Sequence, residues 1–274
     1  MTTFRVAAVQ MTSGSDVQKN LDKAKELISM AAEQGAKLIV LPEMFAVMGI
    51  DQMDKVKTRE TFGDGPIQHF ISEQAAKHRC WIIGGTLPIV VDDSNEKVNA
   101  TCLLFNDQGK VVARYDKIHL FDVTMSATRE SYHESKTTKA GNQIVVAQTP
   151  FGKIGLAVCY DIRFPELFRS MHDRGVEIVA LPAAFTFTTG SAHWDILARS
   201  RAIENQVYFI AAAQTGVHEN GRKTFGHSMI IDPWGRVKAS LPDTQGVVVS
   251  DIDLDYLKKI RGEFPVLSHR RNVS

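Results

Sequence analysis

Short, continuous apolar runs recur along the chain: FRVAAVQ from Phe4, KLIVL from Lys37, CWIIGG from Cys80, TCLLF from Thr101, KIGLAV from Lys153, EIVAL from Glu177 and VYFIAAA from Val207. They are too short for helices. Several are apolar at successive positions rather than every second one, which fits strands covered on both faces. Between them the period changes. Val17, Leu21, Ala24, Leu27, Ile28 and Ala31 recur at three- and four-residue spacing, the stripe of a helix that Gly35 ends. Further helices are expected from Pro66 to about His78, from near Pro165, and from about Ala192 to Glu204. Strands alternating with helices define an α/β fold.

Towards the end the pattern turns to hairpins. HSMIIDPWGRVKAS reads as two strands joined at Asp232-Pro233-Trp234-Gly235, followed by another strand from Gly246 to Ile252. TCLLFNDQGKVVARYDK repeats that design around Gly109, so antiparallel margins are expected on a mixed sheet. AKLIVLPEMF from Ala36 and VEIVALPAAF from Val176 echo each other and suggest two similar halves facing one another. With no linker rich in Gly, Ser or Pro, a single domain over residues 1–274 is expected.

Composition narrows the function. Lys+Arg number 32 against 31 Asp+Glu, and no basic run is long enough to bind a phosphate backbone, so nucleic acid is not an expected partner. The chain is 44% hydrophobic, enough at 274 residues for a core without staples. Its cysteines, Cys80, Cys102 and Cys159, form no Cys-x-x-Cys pair and suggest neither disulfides nor a zinc ribbon. No long apolar run and no signal-peptide pattern is present, so the expectation is a cytoplasmic protein away from membranes. In that setting the sequon Asn99-Ala100-Thr101 is coincidence. A Gly-x-Ser-x-Gly elbow and a phosphate loop are absent, and Gly63-Asp64-Gly65 lacks the strand and third glycine of a dinucleotide fingerprint. His133-Glu134 and His218-Glu219 lack the second histidine of a zincin. No metal or cofactor is therefore expected.

Cys159 ends an apolar run and precedes Pro165, placing a thiol at a strand end before a helix, where open α/β sheets bind ligands and a helix dipole helps to hold a thiolate. Cys80 and Cys102, flanked by apolar strand residues, read as core filler. Glu43, after LIVLP, is a carboxylate at another strand end. Partial burial would raise its pKa towards the range of a general base. Lys117, in VVARYDKIHLFD, offers a cation that could hold an oxyanion and depress the thiol pKa.

LPEMF around Glu43, YDKIHLFD around Lys117 and AVCYDIRFPELF around Cys159, in that order, resemble the Glu-Lys-Cys signature of the nitrilase superfamily of carbon-nitrogen hydrolases. The resemblance covers nearly the whole chain and implies a four-layer αββα sandwich that pairs into homodimers or larger homo-oligomers. It implies metal-free acyl transfer through a thioester on Cys159, with Glu43 as base and Lys117 and the backbone N–H of Tyr160 at the oxyanion. HESKTTKAGN resembles the segment whose glutamate, here Glu134, positions substrate and the lysine. HLFDV, CYDIRFPELF, AHWDILARSRAIENQ, GHSMIIDPWG and FPVLSHRR resemble the deaminated glutathione amidase branch, whose substrate is a small amide carrying carboxylates. Arg129 and Arg163 are the candidates to bind those carboxylates, although for Arg163 a structural ion pair is the first reading. Phe185 is a candidate lining of the acyl pocket. The stretch from Thr124 to Asn142 departs most from the branch, which leaves open an ω-amidase acting on 2-oxoglutaramate or 2-oxosuccinamate. A non-catalytic binding protein on the same fold is a further alternative.

Overall fold

The computed structural model describes residues 2–125 and 130–271. Two sheets form its centre. In the first, β1 (Thr3–Gln10), β2 (Leu38–Val40) and β3 (Trp81–Ile83) run parallel. β4 (Leu87–Val91), β5 (Ser94–Phe105) and β6 (Val111–Asp116) extend it antiparallel beyond β3. The second sheet repeats the plan. β9 (Val146–Thr149) pairs antiparallel with β10 (Gly152–Leu156), which runs parallel to β11 (Ile178–Ala183) and β12 (Tyr208–Ala213). Two small ribbons stand apart, β7 (Asp122–Met125) with β8 (Glu130–His133) and β13 (Thr215–Val217) with β14 (Lys223–Phe225). The expected hairpin, β15 (Met229–Ile231) and β16 (Val237–Ser240), closes the second sheet beyond β12. β17 (Gly246–Asp253) crosses back to pair antiparallel with β1.

The strand period of two sorts side chains into layers. Val6 and Ala8 of β1, with Leu38 and Val40 of β2, enter the core between the sheets, where β1 and β2 lie against β12 and β11. Ala7, Val9 and Ile39 enter a separate core under Leu21, Leu27 and Ile28 of α1 (Val17–Glu33) and Ile67 and Ile71 of α3 (Pro66–His78). Between these helices in chain order comes the short α2 (Asp54–Lys57), which lies against β5. On the far side, Leu167 and Phe168 of α4 (Pro165–Asp173) and Trp194, Ala198 and Ala202 of α5 (Phe187–Asn205) cover the second sheet. The layers are helix, sheet, sheet, helix. Strands buried on both faces are why the runs are continuous rather than alternating.

α1 starts where Asp16 Oδ1 accepts from the Lys19 N–H at 3.1 Å. α5 begins five residues before the expected Ala192, at Phe187, capped by Thr186. Its apolar residues occur on both the buried and the open side, so no single stripe marks its start. α6 (Leu254–Glu263), which follows β17, went unforeseen. The echoing segments occupy equivalent places: β2 and β11 are each the middle of three parallel strands, β2 leading into the loop Leu41-Pro42-Glu43, and β11 ending in Leu181-Pro182-Ala183 before the loop at Ala184. Beneath the first of these loops lies Gly85. A Cβ there would sit 2.1 Å from the Pro42 carbonyl oxygen at φ +57, so only glycine lets the loops pass this closely.

Candidate active site

Glu43, Lys117, Cys159 and Glu134 come from four separate segments and meet. Glu43 follows β2, Lys117 directly follows β6, Cys159 lies just past β10, and Glu134 directly follows β8. β2 and β10 deliver their residues at strand carboxyl ends, the place where open α/β sheets form ligand clefts. Cys159 has φ +46, a left-handed conformation costly for a residue with a Cβ, at the start of the 3-10 turn Cys159–Arg163.

The three central side chains are nearly sealed from solvent, with Glu43 5%, Lys117 2% and Cys159 7% exposed. Lys117 Nζ donates to Glu43 Oε1 at 2.8 Å and to Glu134 Oε1 and Oε2 at 3.1 and 2.9 Å. The other Glu43 oxygen, Oε2, accepts from the backbone N–H of Ala184 at 2.8 Å. Glu134 Oε2 also accepts from the Phe121 N–H at 2.7 Å. The Cys159 sulfur interacts with the Glu43 carboxylate and with the Ala184 N–H. One lysine is thus held between two carboxylates, one of which also faces the Cys159 thiol.

Electrostatics correct two expectations. Burial pushes the Glu43 carboxyl up, but Lys117, Arg222 and the bond from the thiol offset it and hold the group below its ordinary range. Cys159 is not held as a thiolate: burial first and the Glu43 charge second push its pKa up, against the opposing pull of Lys117 and the Ala184 N–H. For Lys117, burial disfavours the charge, yet Glu134 and Glu43 keep its pKa well above the usual lysine value. The site pairs an ionised carboxylate with a protonated thiol, an arrangement in which any attack by sulfur would require its proton to be taken up as the bond forms.

Sequence reasoning passed over Asp161. It is fully buried, and its Oδ2 accepts from Tyr115 Oη at 2.7 Å and from the Val158 N–H at 2.8 Å. Its Oδ1 accepts from the His119 N–H at 3.1 Å and lies 2.7 Å from His119 Nδ1. Asp161 therefore ties the segment after Lys117 to the turn that carries Cys159. Gln214, after β12, bonds both the Glu43 carbonyl oxygen at 3.0 Å and Ser13 Oγ at 2.8 Å. Cys80 and Cys102 are buried as expected, with burial pushing both thiols up.

Glu43, Lys117, Glu134 and Cys159 open onto a cavity of about 500 Å³, also lined by Tyr160, Arg163 and Phe185. That size suits a small-molecule ligand. Phe185 is 3% exposed and packs on Trp194 at 5.1 Å between ring centres, so it is core and cavity wall at once. The Arg163 guanidinium lies 5.0 Å from the Phe185 ring centre and 5.9 Å from that of Tyr160, and Nη1 lies 3.3 Å from His193 Nδ1. The ion pair expected of Arg163 is not formed among the described residues. Arg129 lies outside the described residues. Lys55 and Arg222 also line the cavity. Neither was singled out from the sequence, because a lysine in DKVK and an arginine in ENGRK read as solvated surface. Among the described residues no cluster of His, Cys, Asp and Glu could hold a metal ion, and no helix is long and apolar enough to cross a membrane.

A sandwich of this kind, with glutamate, lysine and cysteine converging at its strand ends, agrees with the family comparison: the carbon-nitrogen hydrolase model matches residues 5–262, and the chain belongs to that family. The deaminated glutathione amidase of Yersinia enterocolitica is 40% identical over 274 residues, covering 100% of this chain and 95% of that protein. The crystal structure of the C. elegans NitFhit protein matches with a TM-score of 0.92 at 38% identity, covering 99% of this chain and 66% of that one, so this chain spans about two thirds of the fusion protein. An amidase from Nesterenkonia sp. AN1, solved as a mutant after Michael addition of acrylamide at its active site cysteine, matches with a TM-score of 0.79 at 26% identity over 97% of this chain and 99% of that one.

Proposed function

We propose that this chain is an amidase acting on deaminated glutathione, releasing 2-oxoglutarate and Cys-Gly through a thioester on Cys159. The observation that carries this reading is the convergence of Glu43, Lys117 and Cys159 in one buried cavity, in a chain 40% identical to a deaminated glutathione amidase along its whole length. In this mechanism Glu43 accepts the thiol proton as sulfur attacks the amide carbonyl. Lys117 Nζ and the Tyr160 N–H stabilise the oxyanion. Glu43 then gives the proton to the departing nitrogen, the C–N bond breaks and the amine leaves. Water, deprotonated by the same carboxylate, attacks the thioester, and the proton returns to sulfur. Glu134 keeps Lys117 charged and in place, and Arg163 accepts a substrate carboxylate above Phe185. Residues 1–274 act as one domain. The three free cysteines suit a reducing, cytoplasmic setting.

Steady-state turnover of deaminated glutathione and of 2-oxoglutaramate by the same preparation tests the substrate. A higher kcat/KM for deaminated glutathione is expected. A strong preference for 2-oxoglutaramate would make the protein an ω-amidase instead.

We also propose that the chain pairs through the open side of α5. Ile196 and Ile203 are 65% and 46% exposed, and Trp234 and Phe264 beside them are 46% and 51% exposed. Trp234 and Phe264 meet edge-on with ring centres 5.6 Å apart, and Ile203 lies against Gly235, so the patch is continuous. Contiguous apolar surface of this kind marks association sites. Sedimentation at micromolar concentration should show a dimer or larger species for the natural chain and a monomer for Ile203→Asp. A monomeric natural chain sinks the idea.

A further inference from the structure

Lys117 is bracketed by carboxylates, but the other cations of the cavity are not. Lys55, Arg163, Arg222 and Lys223 line it, and among the described residues none has a carboxylate within ion-pair distance; Lys223 lies over the Phe187 ring at 4.0 Å. Lys55 Nζ donates to the hydroxyl of Thr138 at 2.8 Å. Arg222, half-buried just before β14, donates from Nη2 to the Ala184 carbonyl oxygen, and its Nη1 reaches only the Met44 sulfur at 4.0 Å. Its guanidinium stands 5.4 Å from the centre of the Tyr132 ring, and its Nε is buried without a hydrogen-bond partner. A guanidinium carries five N–H donors in a fork suited to a carboxylate, and leaving them unpaired in a buried place is costly. Lys55 and Arg222 act on each other as like charges. An anion between them would relieve both.

Position decides which part of a substrate this anion belongs to. Ala184 donates its N–H to Glu43 Oε2 at 2.8 Å and accepts from Arg222 Nη2 at its carbonyl oxygen, so Arg222 stands one residue away from the carboxylate that faces the departing nitrogen in the proposed mechanism. Whatever that nitrogen carries therefore runs past Glu43 towards Arg222. Arg163, by contrast, sits in the turn that Cys159 begins, on the acyl side. The carboxylate of a two-residue leaving group lies about 7 Å from its amino nitrogen, a span that a cavity of about 500 Å³ accommodates.

We infer that Arg222, with Lys55 beside it, binds a carboxylate on the leaving amine, so that the site selects amides whose departing group is an anionic peptide rather than ammonia. The inference rests on the proposed amidase reading and deepens it.

The test pairs two substrates, deaminated glutathione and its C-terminal carboxamide, with three proteins: the natural chain, Arg222→Gln and Lys55→Met. The natural chain should favour the acid by about 30-fold in kcat/KM, expressed mainly in KM, as expected for a charged hydrogen bond lost from a built site. Arg222→Gln should bring that ratio to within about 3-fold of unity, and Lys55→Met should lower it partway. A purely structural role for Arg222, as a clamp on the Ala184 carbonyl, predicts equal losses for both substrates and an unchanged ratio, which overturns the inference. Equal use of acid and carboxamide by the natural chain overturns it as well, without any variant having to fold. Turnover of 2-oxoglutaramate with none of deaminated glutathione rejects the substrate reading, and this inference with it.

Discussion

Cys159→Ala is expected to lower amide hydrolysis by at least about 10⁴-fold, the scale on which nucleophile removal acts when base and oxyanion donors remain. The loss should lie in kcat, because the cavity wall and the cations that bind substrate stay in place. Stability should change little. The replacement removes one buried sulfur, and a melting temperature within about 4 °C of the natural chain corresponds to about 1 kcal/mol at this size. Cys80→Ala is the control, since its thiol lies away from the cavity and donates to the Ala36 carbonyl oxygen at 3.0 Å. Mass spectrometry of the natural chain quenched during turnover should find the acyl group on Cys159. Undiminished hydrolysis by Cys159→Ala would reject the mechanism.

Lys117→Met should damage both stability and activity. Lys117 is the shared cation of Glu43 and Glu134, with side-chain exposures of 2%, 6% and 16%. Removing one member of a buried charge set costs about 3–5 kcal/mol, because the remaining charge keeps its desolvation penalty and loses its partner. The sign of the pH dependence follows from Glu43. In the natural chain its folded pKa is depressed, so its contribution is complete above the unfolded carboxylate pKa and is lost as pH falls through the lower folded value. Without Lys117, burial dominates and the folded pKa rises above the unfolded one. The variant's deficit is then largest at neutral pH and shrinks as acid protonates Glu43. Urea unfolding at pH 7.5 and pH 5.5 reads this directly: the gap between variant and natural chain should narrow at the lower pH. A constant gap would show that lost packing, not stranded charge, is responsible.

The layers were legible because burial on both faces leaves continuous apolar strands, and α1 because its stripe has one buried side. α5 was legible only in part, since Ile196 and Ile203 place apolar residues on its open face and blur the period. Glu43, Lys117 and Cys159 could be picked out as polar residues at the ends of apolar runs, but their meeting is tertiary and reached the page only through the family resemblance. The charge states were misjudged for the same reason. A local reading sees burial raising Glu43 and cannot see Lys117 arriving from the end of β6 to reverse it. Arg222 had no local signal, because only the placement of the ribbon β13–β14 beside the Met44 loop turns a hairpin arginine into a cavity wall. Asp161 was visible two residues after Cys159 but gave no sign that it would join His119 and Tyr115.

Glu43 follows a strand of the first sheet and Ala184 a strand of the second, and the hydrogen bond between them joins the two halves. The thiol therefore meets its base only after both halves have docked. A chain in which the sheets part retains the cysteine but loses the positioned carboxylate beside it. Hydrolytic activity in this protein is a readout of that docking as much as of the residues that carry it out.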